Sequence, residues 1–102
     1  KSSNWTNRFQ MFATENMWTF ILLDSYNGRL WQVQYSTQDL DNLFCIPINK
    51  YELVENNERC IFSIQPLTSM YQYYLINDNT GDMWKFQWST KGDDYRWIER
   101  FR

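Results

Sequence analysis

The chain has 102 residues, which is enough for one domain and too few for two comfortable ones. Ten Lys+Arg against twelve Asp+Glu leave a net charge of −2, without the basic excess of a nucleic-acid-binding surface, and no apolar run reaches the ~18 residues of a bilayer-spanning helix. The absence of histidine removes His-based triads and His-ligated zinc, and the aromatic share of 20% supplies more rings than a small core needs, so some belong at the surface or at a partner.

In chain order the signals are short β-strands rich in aromatic and β-branched residues, bounded by Asn, Asp, Gly and Ser. FQMFA (9–13), MWTFILL (17–23), LWQVQYS (30–36) and LFCIPI (43–48) form a first set. The polar stretch 49–59 could turn helically but has no clear cap. FSIQP (62–66), MYQYYLI (70–76), MWKFQWS (83–89) and RWIERF (96–101) form the second set. Pro47 and Pro66 belong at strand ends or edges, because proline donates nothing to a ladder.

The two sets are one unit written twice. A shift of 53 lays residues 9–49 on 62–102, and nine of the pairs are identical: Phe9/Phe62, Met17/Met70, Leu22/Leu75, Gly28/Gly81, Trp31/Trp84, Gln34/Gln87, Ser36/Ser89, Thr37/Thr90 and Asp41/Asp94. Repeats of this length are supersecondary units that share a core. The expected organisation is a single domain over 1–102, with repeat one at about 8–49, a linker at about 50–60 and repeat two at about 61–102. The expected fold is all-β, two pseudo-symmetric four-stranded antiparallel meanders forming one barrel or sandwich.

DSYNGR (24–29) and NDNTGD (77–82) share a layout, an Asx opening the turn and a glycine four positions on. This predicts a hairpin pairing Asp24 with Arg29, Leu23 with Leu30 and Leu22 with Trp31. That register puts nearly every ring on one side: Trp18, Phe20, Leu22, Trp31, Val33 and Tyr35, and then Tyr71, Tyr73, Leu75, Trp84, Phe86 and Trp88. The two aromatic faces are therefore expected to meet around a pseudo-twofold axis.

LLDSYNGRLWQVQYS resembles small, uncharacterised bacterial proteins with an "LLDTxTGxxWxxQ" hairpin, sometimes in tandem, common in gut-commensal bacteria and their mobile elements. The resemblance covers mainly 17–36 and 70–89. Ser25 and Asn27 stand where Thr is usual, Asn77 replaces the Asp, and Ser36 and Ser89 replace a frequent Gly. It implies no activity and no functional residues.

Chemistry is sparse. NDNTGD places Gly81 fifth where a calcium loop needs glycine sixth, so a plain turn is expected. The acids Asp24, Asp39, Asp41, Glu52, Glu55, Glu58, Asp93 and Asp94 lie in turns and linkers rather than facing one cleft, and no G-x-S-x-G elbow exists. No cofactor, metal or catalytic residue is expected, and the protein is not expected to be an enzyme. The Arg–aromatic interleaving of 96–102 reads as a strand with rings inward, because Asp93, Asp94 and Glu99 offset its charge. Cys45 and Cys60 are expected as two reduced buried thiols, with one disulfide as the alternative. Residue 1 is Lys and no leader is visible, so a mature or trimmed chain is expected and compartment is not given.

One face keeps a functional look. Gln32, Gln34, Gln72, Tyr74, Lys85 and Gln87 are expected to point away from the core together, amides and a phenol over an apolar floor, which suits a peptide or a sugar. The leading expectation is a non-catalytic binding or interaction module acting through a protein partner or self-association. The alternative is a carbohydrate-binding module of an extracytoplasmic system.

Overall fold

The computed structural model describes residues 7–35, 43–55 and 59–102. Ser36, Asp39 and Asp41, and positions 56–58 of the linker, lie outside the described residues. Eight strands follow in chain order: β1 (Phe9–Ala13), β2 (Thr19–Asp24), β3 (Arg29–Gln34), β4 (Phe44–Pro47), β5 (Phe62–Pro66), β6 (Gln72–Asn77), β7 (Met83–Gln87) and β8 (Trp97–Arg100). They make two antiparallel four-stranded meanders, β1-β2-β3-β4 and β5-β6-β7-β8. The sheets pack as two layers and are not closed into a barrel. Among the described residues the only helical element is a single 3-10 turn at Asp93–Tyr95. The prolines end edge strands, Pro47 closing β4 and Pro66 closing β5, and the described part of the linker contains no helix.

The hairpins form as their turn chemistry dictates. Gly28 (φ +83) donates its N–H to the Asp24 carbonyl (2.9 Å), and Gly81 (φ +79) donates to the Asn77 carbonyl (2.7 Å). The Asx side chains satisfy the exposed amides: Asp24 Oδ1 accepts from Tyr26 N–H (3.1 Å), and Asn77 Oδ1 accepts from Asn79 N–H (2.9 Å). The pairs Asp24–Arg29, Leu23–Leu30 and Leu22–Trp31 stand opposite one another, as the turn spacing requires.

The sheets differ in which face they bury. In the second, the aromatic face turns inward: Tyr73, Leu75, Trp84, Phe86 and Trp88 are all buried. In the first, the opposite face does. Thr19, Ile21, Leu23, Leu30 and Gln32 have no exposed surface, while Phe20, Leu22, Trp31, Val33 and Tyr35 are half-buried and Phe9 and Met11 are more than half exposed. One core cluster joins Ile21, Leu23 and Leu30 of the first sheet to the aromatic face of the second. The expectation that two aromatic faces meet around a twofold axis is thus corrected. The sheets stack face to back, the aliphatic face of one on the aromatic face of the other.

The physical reason lies in the pairs that break the repeat. The second sheet's other face carries Lys85, and burying an unpaired ammonium is costly, so that sheet must bury its rings. The first sheet has uncharged Gln32 at the matching position, so either of its faces can be buried. Hydrogen bonds select the aliphatic one. Gln32 Oε1 accepts from the Ser89 N–H (3.1 Å) and from Arg96 Nε (2.8 Å), and its Nε2 donates to the Ser89 carbonyl (2.8 Å). At the other end of the sheet the first turn is tied down. The Ser25 carbonyl accepts from Ile61 and Phe62 N–H (2.8 and 3.0 Å), and the Asn27 carbonyl accepts from Leu53 N–H (2.8 Å).

Candidate interaction faces

The first sheet's outer face is built by the strict alternation of its strands. Phe9, Met11 and Ala13 of β1, Phe20 and Leu22 of β2, Trp31 and Val33 of β3, and Cys45 and Pro47 of β4 fall on it by register, with Trp18 and Tyr35 at its far end. Nothing ionisable interrupts its centre except the Cys45 thiol, whose pKa is pushed up by desolvation among its neighbours. Among the described residues that fall on this face, charge sits at the turn end. Arg8 makes a bidentate pair with Asp24 (3.0 and 2.9 Å) and lies over the Phe9 and Tyr26 rings, while Arg29 lies 4.9 Å over Trp31.

That face is preformed. Phe9 and Trp31 sit 6.4 Å apart at 49°, and their repeat mates Phe62 and Trp84 sit 5.8 Å apart at 53°. Trp18 packs on Tyr35 at 5.4 Å, as Tyr71 packs on Trp88 at 4.7 Å. The Tyr35 hydroxyl donates to the Met17 carbonyl (3.3 Å), as the Trp88 indole donates to the Met70 carbonyl (3.1 Å). The same ring array therefore occurs twice, once covered and once open.

The six residues singled out in the sequence do not share one surface. Gln32 lies between the sheets with no exposed area, its amide fully engaged by Ser89 and Arg96 and by a donation to Gln34 Oε1 (3.3 Å). Gln34 is half-buried on the same inward face. Gln72, Tyr74, Lys85 and Gln87 stand together on the outer face of the second sheet. There Gln72 Nε2 donates to Gln87 Oε1 (2.9 Å), Gln87 Nε2 donates to the Tyr95 carbonyl (2.9 Å), and Tyr74 packs 5.6 Å from Phe101. The physical reason for the split is the face-to-back stacking, which turns equivalent faces of the two repeats to opposite sides. The sequence reading missed Phe9, Met11 and Trp31 as surface residues: Trp31 was counted toward the core with the other rings, and the residues of β1 were assigned to neither face.

Beside this outer face, Ser69, Tyr71, Gln87, Ser89, Lys91 and Tyr95 line a shallow cleft of about 180 Å³. Tyr71 and Tyr95 expose their rings, and Lys91 Nζ lies 5.7 Å from the Tyr95 centroid.

Cys45 and Cys60 are not joined by a disulfide, but neither is buried: Cys45 is exposed, and Cys60 is half-buried and donates to the Asn7 carbonyl (3.2 Å). No group of three or more His, Cys, Asp or Glu able to hold a metal occurs among the described residues, and none of their helices is long and apolar enough to cross a membrane. No protein-family model, curated protein or solved structure matches the chain.

Proposed function

We propose that this protein is a non-catalytic interaction module that docks a protein surface on the outer face of its first sheet. One observation carries the reading: a sheet face with Phe9 and Met11 more than half exposed, beside the partly buried Phe20, Trp31 and Val33, and no charge at its centre among the described residues. Covering such a face removes apolar area from water at roughly 25 cal/mol per Å², the main favourable term in protein association. Its rings are already fixed by their own contacts, so docking orders few side chains.

The test is a photo-reactive benzoylphenylalanine placed at Met11 and, as a control, at Tyr51, which is 78% exposed on the linker. Illumination in an extract of the source cells should give adducts of discrete mass from position 11 and none from position 51. No adduct from position 11, or equal labelling from both, contradicts the reading.

The carbohydrate alternative has one observation in its favour, the cleft between Tyr71 and Tyr95 with the Gln87 amide and Lys91 at its rim. Rings with polar groups beside them suit a sugar. It predicts glycan-array binding that Tyr95→Ala abolishes, and a blank array across broad glycans counts against it.

A further inference from the structure

The contact between the two sheets is heterologous: two different faces meet, and each has its repeat mate left open at an end of the molecule. At one end is the aromatic face of the first sheet, a duplicate in ring geometry of the face that the first sheet covers in the second. At the other end is the outer face of the second sheet, where Ile76 and Met83 are the repeat mates of the fully buried Leu23 and Leu30.

The glycines sharpen the match. Inside the chain, Phe62 packs against the first hairpin turn, its Cζ only 3.0 Å from where a Cβ on Gly28 would stand. The same space at Gly81 is open, with nothing within 4 Å. Phe9, the identical repeat mate of Phe62, is 54% exposed where Phe62 is 3% exposed. A ring without a socket and a socket without a ring thus stand at opposite ends of one molecule.

We propose, building on the interaction reading above, that the partner is a second copy of this chain. The copy lays the aromatic face of its first sheet on the outer face of the second sheet, with Phe9 entering beside Gly81. The contact repeats the one already made within the chain, so copies stack head to tail. The stack closes into a ring or stays open according to the rotation per unit. It is weaker than the internal contact, because Lys85 stands where Gln32 makes its bonds to Ser89, because Glu99 stands opposite Lys85 where the first sheet has Ile46, and because desolvating both charges is costly. Exchange between copies is therefore reversible.

Sedimentation of the full chain across the micromolar to millimolar range tests this, with two variants chosen to leave the fold intact. Phe9→Glu spoils the aromatic face at an exposed position, and Gly81→Asn fills the socket with a residue that tolerates positive φ. The wild type should gain mass with concentration, and each variant alone should sediment as one chain, its association weakened about tenfold or more. An equimolar mixture should recover association and stop at two chains, because one intact face of each kind remains. A wild type monomeric throughout overturns the proposal. So does a Gly81→Asn variant that still associates alone, since that contact joins two aromatic faces, and so does a mixture that fails to recover. A monomer that still gives Met11 adducts with a different protein overturns self-stacking and leaves the interaction reading standing. A monomer that gives no adducts removes both.

Discussion

At the scale of single residues, Gln32 decides more than any ring. Its amide makes both hydrogen bonds to the Ser89 backbone and accepts from Arg96, whose side chain is 7% exposed and also holds Asp93 (2.6 Å). Gln32→Ala leaves the Ser89 N–H and carbonyl and the Arg96 Nε without their partner. It should cost about 2–4 kcal/mol by chemical denaturation, while Gln34→Ala, which loses one contact at 3.3 Å, should cost under about 1 kcal/mol. Asp82 supplies a pH signature. Hydrogen bonds from Arg100 and from Thr80 hold its carboxyl below the usual carboxylate range. A depressed carboxylate contributes stability that is present above its unfolded pKa of about 4 and is lost as pH falls through the lower folded value. The difference in urea midpoint between wild type and Arg100→Gln should therefore be largest at neutral pH and shrink as pH falls through the folded value, leaving only the pH-independent loss of the Arg100 contact with the Trp84 ring (5.8 Å). A difference that grows on acidification would contradict the assignment. Because the pair is solvent-exposed, the effect is small.

At the scale of elements, the hairpins were legible and their surroundings were not. Strands β1 and β5 begin and end where the residue pattern places them, and the β2–β3 register follows from the Asx and glycine spacing, because both signals are local. What covers each turn depends on long-range contacts that no local pattern encodes. Gly28 is packed under Leu53 and Phe62, and Gly81 faces open space. Gly81→Ala should therefore cost about 1–2 kcal/mol from positive φ alone. Gly28→Ala should cost a further ~1 kcal/mol, because its Cβ would stand 3.0 Å from Cζ of the core residue Phe62 as well as 2.9 Å from Leu53 Cδ1. Equal losses in thermal or urea unfolding would mean that the linker does not cover the first turn. The candidate site shows the same limit. The register correctly groups Gln72, Tyr74, Lys85 and Gln87, but it carries no information on which side of each sheet faces the other. The one usable clue was compositional, Gln32 against Lys85: a neutral amide can be buried with partners far more easily than an ammonium can.

At the scale of the whole molecule, one rule accounts for the core and for the proposed assembly: the ring face of one sheet packs on the opposite face of another, which is mostly aliphatic in the first sheet and polar, except for Ile76 and Met83 near the turn, in the second. Twofold packing of ring face on ring face would leave Gln32 without Ser89 and Lys85 outside. Face-to-back packing satisfies the amide, keeps the ammonium outside, and leaves one aromatic face without a cover. The most direct measurement compares identical residues in the two repeats. Trp84 is 8% exposed in the core, and Trp31, its repeat mate, is half-buried on the outer face. At concentrations where the chain sediments singly, Trp84→Ala should lower unfolding stability by about 3–5 kcal/mol, and Trp31→Ala by less than about 1.5 kcal/mol. Equal losses at the two positions would contradict the face-to-back arrangement.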